Sequence, residues 1–256
     1  MNPGMTETTQ PLPGQALPDP SWSGYYRAGG VALIVAGLLF VAQLFLLVLG
    51  PNLPASGAAY LTYVAQHELH FAATTGIFIA IRVLYIVIFV ALYLALRAYH
   101  PTAALVLISF AAASLPVILA SLSFSYAHIP LARSFVSLGE PQRAMYLTSA
   151  ELLRAATDAG QALALLLFAV ITFAIAAGAA RAKLVSRGVI SVIVVTGVLP
   201  FLRYFPGLGE ASALFGLLNI PLTALYFFAL GRALYHLGTS GSPHGAIQSA
   251  DKVYAP

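Results

Sequence analysis

Arg82 stands inside a long apolar run, flanked by Ile81 and Val83. A guanidinium facing lipid at a helix centre costs roughly 2.5–3.5 kcal/mol on insertion scales, so Arg82 is expected to face neighbouring helices. From the cationic end of its run at Arg97, 15 residues at 1.5 Å each place it about 22 Å up, in the outer half of a bilayer. Further along, Glu151, Arg154, Asp158 and Gln161 fall within about 80° of arc at 100° per residue, which makes them one polar stripe on a helix. Two readings follow. The stripe is an external helix extension whose Glu151, Arg154 and Asp158 pair at three- and four-residue spacing. Alternatively it walls a polar, outward-facing cavity in which Arg82 meets Asp158 or an anionic ligand, with helix tilt closing a difference in depth of about 12 Å. Thr74, Tyr85 and Tyr93 share a broad face with Arg82, and Asn219 is a further polar candidate in the last apolar run. Their hydroxyls and amide serve equally as interhelical hydrogen bonders.

A second cluster holds His67, Glu68 and His70, with His128 on the same side of the membrane. His-x-x-His supplies two nitrogens to zinc or copper, and two ligands are not a site, so a metal here needs His128 or a further group. The order His-Glu-Leu-His is not the His-Glu-x-x-His pattern, so Glu68 gains no general-base role from it. No catalytic residue is assigned and no cofactor is expected. Apart from Arg82, no ionisable group sits securely within an apolar run, which argues against an acid-chain proton pump and a voltage sensor.

The elements that position these residues are six apolar stretches, at 26–49, 71–96, 102–126, 157–178, 188–205 and 211–235. Most meet the roughly 20 residues a membrane-crossing helix requires. The chain is 60% hydrophobic and 8% charged, against about 25% charged residues in soluble domains, so a bilayer must cover its apolar surface. Lipid offers the backbone no hydrogen bonds, and these runs lack the alternation of barrel strands. The expected fold is therefore an all-α, polytopic membrane bundle of six spans over residues 25–236, with the lipid bilayer as its first partner. Residues 1–24, rich in proline, and 237–256 read as disordered tails. The basic residues are scattered singly rather than clustered, which argues against nucleic acid. The chain has no cysteine, which removes disulfides and thiolate metal sites.

Arg27, Arg97, Arg181, Lys183, Arg187, Arg232 and Lys252 collect on one side of the spans, against Arg133, Arg143 and Arg203 on the other. The positive-inside rule then puts both termini in the cytoplasm, and residues 50–70, 127–150 and 206–210 outside. Pro116, Pro200 and Pro221 invite kinks, and Ser121, Ser123 and Ser125 are placed to re-satisfy carbonyls freed at Pro116. Gly29, Gly30, Ala36 and Gly37 give the first span a face for close helix contact.

Tyr26-Arg27-Ala28-Gly29-Gly30 opening the first span, Leu92-Tyr93, Leu96-Arg97 and Pro101 around the second loop, and Arg187-Gly188-Val189 together resemble a bacterial six-helix integral membrane family known only as a domain of unknown function. The resemblance covers roughly residues 25–235. It implies six spans in a bacterial plasma membrane, without an assigned activity and with no catalytic residues to carry over.

The leading functional expectation is a non-enzymatic membrane protein that binds or translocates a small amphipathic or anionic ligand through an outward-facing pocket. Arg82 would be its buried cation, with Glu151, Arg154 and Asp158 at the mouth and Tyr85, Gln161 and Asn219 lining it. An intramembrane enzyme acting on a lipid or isoprenoid is the alternative, with carboxylate acid/base groups or a histidine-bound metal. A structural or regulatory membrane partner is the third.

Overall fold

The computed structural model describes residues 19–51, 54, 57–139, 142–203 and 211–240, apart from the side chains at 203, 211–213 and 240. All its regular structure is helical. A turn of 3-10 helix, Pro20–Trp22, leads into α1 (Ser23–Leu49), followed by α2 (Gly57–Gln66), α3 (Glu68–Leu96), α4 (Pro101–Ser137), α5 (Gln142–Ala182), α6 (Arg187–Arg203) and α7 (Ala211–Ser240). Helix therefore begins inside the stretch assigned to the N-terminal tail and runs past 237 at the other end. Residues 1–18 and 241–256, with the rest of those two tails, lie outside the described residues.

Five helices are long and apolar enough to cross a membrane, and α6 is a shorter apolar helix. Helices suit this composition because each internal N–H finds its carbonyl within the same segment, whatever surrounds it. α1 packs on α3 and α7, α3 on α4, α4 on α5, α5 on α6, and α6 on α7. Six helices thus close a ring in chain order.

The ring is tightest at the end that carries Arg27 and Arg97. The main core cluster runs from there up to the level of Arg82, including Leu33, Ile81, Leu92, Ile171, Leu230 and Leu234. Glycine makes the α1–α7 contact possible. A Cβ on Gly30 would lie 2.7 Å from both the Gly231 carbonyl oxygen and the Tyr235 nitrogen, so no side chain fits between these backbones. Toward the middle of the ring the core ends in aromatic rings. Tyr85 stacks on Phe168 with centroids 5.3 Å apart, Tyr85 and Phe227 lie 5.9 Å apart, and Phe40 meets Phe227 edge-on at 5.6 Å. These rings seal that half of the bundle.

The opposite end is built differently from the sequence expectation. Residues 127–150 continue two helices: α5 starts at Gln142, in keeping with the polar stripe as a helix extension, and α4 runs on to Ser137 to meet it, so the two form a long helical hairpin. Within residues 50–70 lies α2, whose Tyr60, Leu61, Tyr63 and Val64 pack against Ile129, Ala132, Phe135 and Ala150 in a second small core. The serines after Pro116 also behave differently. Ser121, Ser123 and Ser125 donate to the carbonyls of Val117, Leu119 and Ser121, all beyond the proline. The carbonyl freed by Pro116 belongs to Ala112, one turn before it, so these hydroxyls do not repair the break. At the C-terminus of α5, Lys183 takes φ 49°, the left-handed conformation that usually falls to glycine, and turns the chain toward α6.

Candidate functional site

Above the aromatic seal the helices enclose a cavity of about 510 Å³, to which all seven contribute. Arg82 of α3 forms its floor and is 8% exposed. Its guanidinium lies over the Tyr85 ring at 4.8 Å and the Phe168 ring at 5.8 Å. Each such contact contributes roughly 0.5–2 kcal/mol, which offsets part of the desolvation of the cation. The charge itself is unmatched. Among the described residues the ion pairs are Arg133 with Glu68 and Arg154 with Asp158, so Arg82 has no carboxylate within 4.0 Å. Its Nε is buried without a hydrogen bond, as are the Thr74 hydroxyl, the Tyr85 hydroxyl and Asn219 Oδ1. All four residues line the cavity.

The mouth lies under α2. Arg154 of α5 sits over the Tyr60 ring at 4.6 Å, donates to the Pro54 carbonyl at 3.4 Å, and approaches Asp158 at 3.8 Å. Asp158 is largely exposed there. Burial pushes the Tyr60 hydroxyl up to about 12, against the opposing pull of Arg154, so the ring under that guanidinium is a neutral phenol at ordinary pH. Tyr60 also meets His128 edge-on at 5.3 Å. His128 is buried, with its two ring nitrogens turned to the carbonyls of Ser125 and Ala150, each at 3.2 Å.

Of the residues singled out in the sequence, Arg82, Tyr85, Arg154, Asp158, Gln161, Asn219 and His128 therefore surround one cavity. The structure does not bring Arg82 to Asp158 as an ion pair, because Asp158 is turned to the rim and to Arg154. Glu151 is exposed and outside the lining. His67 packs on Tyr63 at 4.8 Å and, like His70, does not line the cavity. Among the described residues no three His, Cys, Asp or Glu come together to hold a metal ion.

Sequence reasoning missed three features. The first is α2 as the cover of the mouth, although the apolar spacing of Tyr60, Leu61 and Val64 is helical. The second is the aromatic seal. The third is Gln43 of α1, which is fully buried with neither amide atom hydrogen-bonded. It lies three and four residues from Phe40 and Leu47, which line the cavity, and so stands on their helix face. An amide amid apolar neighbours was the signal.

Fold and cavity together define a membrane-type helical bundle with a blind pocket. A cation lies at its floor and an amphipathic cover lies over its mouth. The family described as a domain of unknown function (DUF4386) matches residues 26–236. The chain belongs to that family. Among curated proteins and solved structures, none matches it.

Proposed function

We propose that this is a six-span bacterial plasma-membrane protein, with both termini cytoplasmic, that binds or moves a small amphipathic or anionic ligand through the cavity beneath α2. One observation carries the reading: Arg82 is nine-tenths buried, lines the cavity, and has no anionic partner among the described residues. A desolvated cation without a counter-charge is costly unless something negative spends time beside it. The shape supports the same reading. Pockets for small molecules run from about 300 to 1,000 Å³, mostly apolar with a few converging polar groups.

Two further features support the topology. The 17 residues of α6 meet the lower end of the length that crosses a hydrocarbon core, about 17 residues, which makes it the sixth span. Arg27, Arg97, Arg181, Lys183, Arg187 and Arg232 end their helices away from α2, so the positive-inside rule puts the α2 end outside. Among the described residues the lining has a single carboxylate, Asp158, whereas acid/base work on a lipid asks for two groups in different environments. With the aromatic rings in place the pocket is blind, and movement across the membrane would require Tyr85, Phe168 and Phe227 to part.

The test is an experimental structure of the full chain in lipid nanodiscs with no ligand added, inspected beside the Arg82 guanidinium. Density for a co-purified molecule at that position, lost in Arg82→Gln, supports the reading. A dry cavity collapsed onto Arg82, or Arg82 paired with a protein carboxylate, overturns it.

A further inference from the structure

The proportions of the cavity and the state of its walls say what kind of anion it takes. We infer that the ligand is a single-chain anionic amphiphile of one negative charge, an acyl carboxylate in type, held with its head at Arg82 and its chain toward the mouth. This rests on the pocket reading above and narrows it to a ligand class.

The head position follows from the two cations in the lining. Arg154 already has Asp158, the Pro54 carbonyl and the Tyr60 ring. Arg82 has the neutral Tyr85 and Phe168 rings beside it and no carboxylate, so among the described residues the unbalanced charge is one and lies deep. A carboxylate matches the fork of a guanidinium with two parallel hydrogen bonds. It would also reach into the region of the unpaired Tyr85 hydroxyl and the Asn219 side chain, both of which line the cavity.

The chain follows from length and volume. Along α5 the lining runs from Phe168, level with Arg82, to Arg154, and 14 residues at 1.5 Å make this about 21 Å. At about 510 Å³ the cavity lies in the lower half of the range that takes one small molecule, about 300–1,000 Å³, and a space of that volume drawn out over this length suits a single chain rather than the two of a phospholipid.

The walls agree. Between floor and mouth stand Phe78, Leu122, Leu165 and Ile220. Two of the lining hydroxyls are turned to their own helices: Thr157 donates to Leu153 at 2.9 Å and Ser125 to Ser121 at 3.2 Å, while that of Thr74 stays unpaired. What Thr157 and Ser125 leave for a ligand is carbon.

The experiment is equilibrium binding of radiolabelled myristate at pH 8 to the full chain in nanodiscs. Acetate, benzoate, tetradecanol and a diacyl phosphatidate serve as competitors. Myristate is expected to bind saturably, with each competitor at least about ten-fold weaker. Arg82→Gln should weaken myristate at least about ten-fold, the loss expected for one charge-assisted contact. Arg82→Lys, which keeps the charge and loses the fork, should bind more tightly than Arg82→Gln and more weakly than the native chain, and guards against a merely misfolded Gln variant. Acetate or benzoate binding as well as myristate would leave the anion pocket standing and refute the chain. Phosphatidate competing equally would refute the single-chain limit. Tetradecanol competing equally, with Arg82→Gln unchanged, or no binding of any anion, would overturn the anionic pocket itself.

Discussion

Replacing Arg82 with leucine should make the ligand-free protein more stable, contrary to the usual result of cutting into a buried site. The leucine ends the burial of an unmatched guanidinium, a relief of about 3 kcal/mol on insertion scales. It also forfeits the contacts with the Tyr85 and Phe168 rings, which at 4.8 and 5.8 Å approach the outer limit of about 6 Å and so count at the weaker end of the range, together about 1–2 kcal/mol. The difference is a gain of about 1–2 kcal/mol. At ~2–4 °C per kcal/mol for a chain of this size, that is a rise in melting temperature of about 2–8 °C. The assay is thermal unfolding in nanodiscs stripped of co-purified ligand, followed by circular dichroism, with Arg82→Lys alongside as a variant that keeps the charge and gains nothing. The ligand-bound protein should reverse the order, because only the arginine form is stabilised by an anion. A fall of several degrees in ligand-free Arg82→Leu would refute the reasoning. It would mean that the ring contacts and cavity water already satisfy the cation and that Arg82 is part of the scaffold.

Other perturbations probe the frame around it. Gly30→Ala should destabilise the bundle by about 1–3 kcal/mol, since the new methyl meets backbone on α7 and neither backbone can yield. Gly24→Ala, with nothing within 4 Å, should be neutral or gain up to ~1 kcal/mol from helix propensity, and chemical or thermal melts of the pair separate packing from propensity. Tyr60 gives a pH dependence. Its hydroxyl is pushed from 10 to about 12 in the folded protein, so the stability it contributes is whole below pH 10 and is lost as pH rises to 12, by roughly 2 kcal/mol. Melts across that window should decline less steeply in Tyr60→Phe. The absence of native cysteine makes topology directly readable. Thr148→Cys at the α2 end should react with a membrane-impermeant maleimide in intact cells, and Ser186→Cys at the other end only after lysis; the reverse pattern would invert the orientation.

What the sequence disclosed is what lipid constrains most. Apolar runs with no tolerance for an unpaired backbone gave the long helices, and an arginine inside one of them had to turn inward. Where water or protein contacts decide instead, the reading weakened. The polar stripe disclosed the early start of α5, but the end of α4 is too polar to be read as a span, and that it runs on to pair with α5 as a hairpin shows only where Ile129, Phe135 and Ala150 pack on α2. Asp158 was placed at the boundary by counting residues, but its partner was decided by rotamer and neighbour, and Arg154 four residues away is nearer than Arg82. Gln43 passed as an isolated amide because the local sequence does not show that it is fully buried. The seal of Tyr85, Phe168 and Phe227 joins residues of α3, α5 and α7 that no local pattern connects.

The ring of helices also has a bearing on how the protein is made. Helices enter a membrane in the order of their synthesis, so α1 waits through the insertion of every later helix before α7 arrives to pack on it. Until then the wall that α1 and α7 share is missing, and Arg82 faces an open-sided trough rather than a chamber. The close approach of Gly30 and Gly231 is in this sense a clasp fastened last. A nascent chain arrested before α7 would carry every charged residue of the pocket and still have no pocket, which leaves its half-built ring as a surface for membrane chaperones or proteases to recognise.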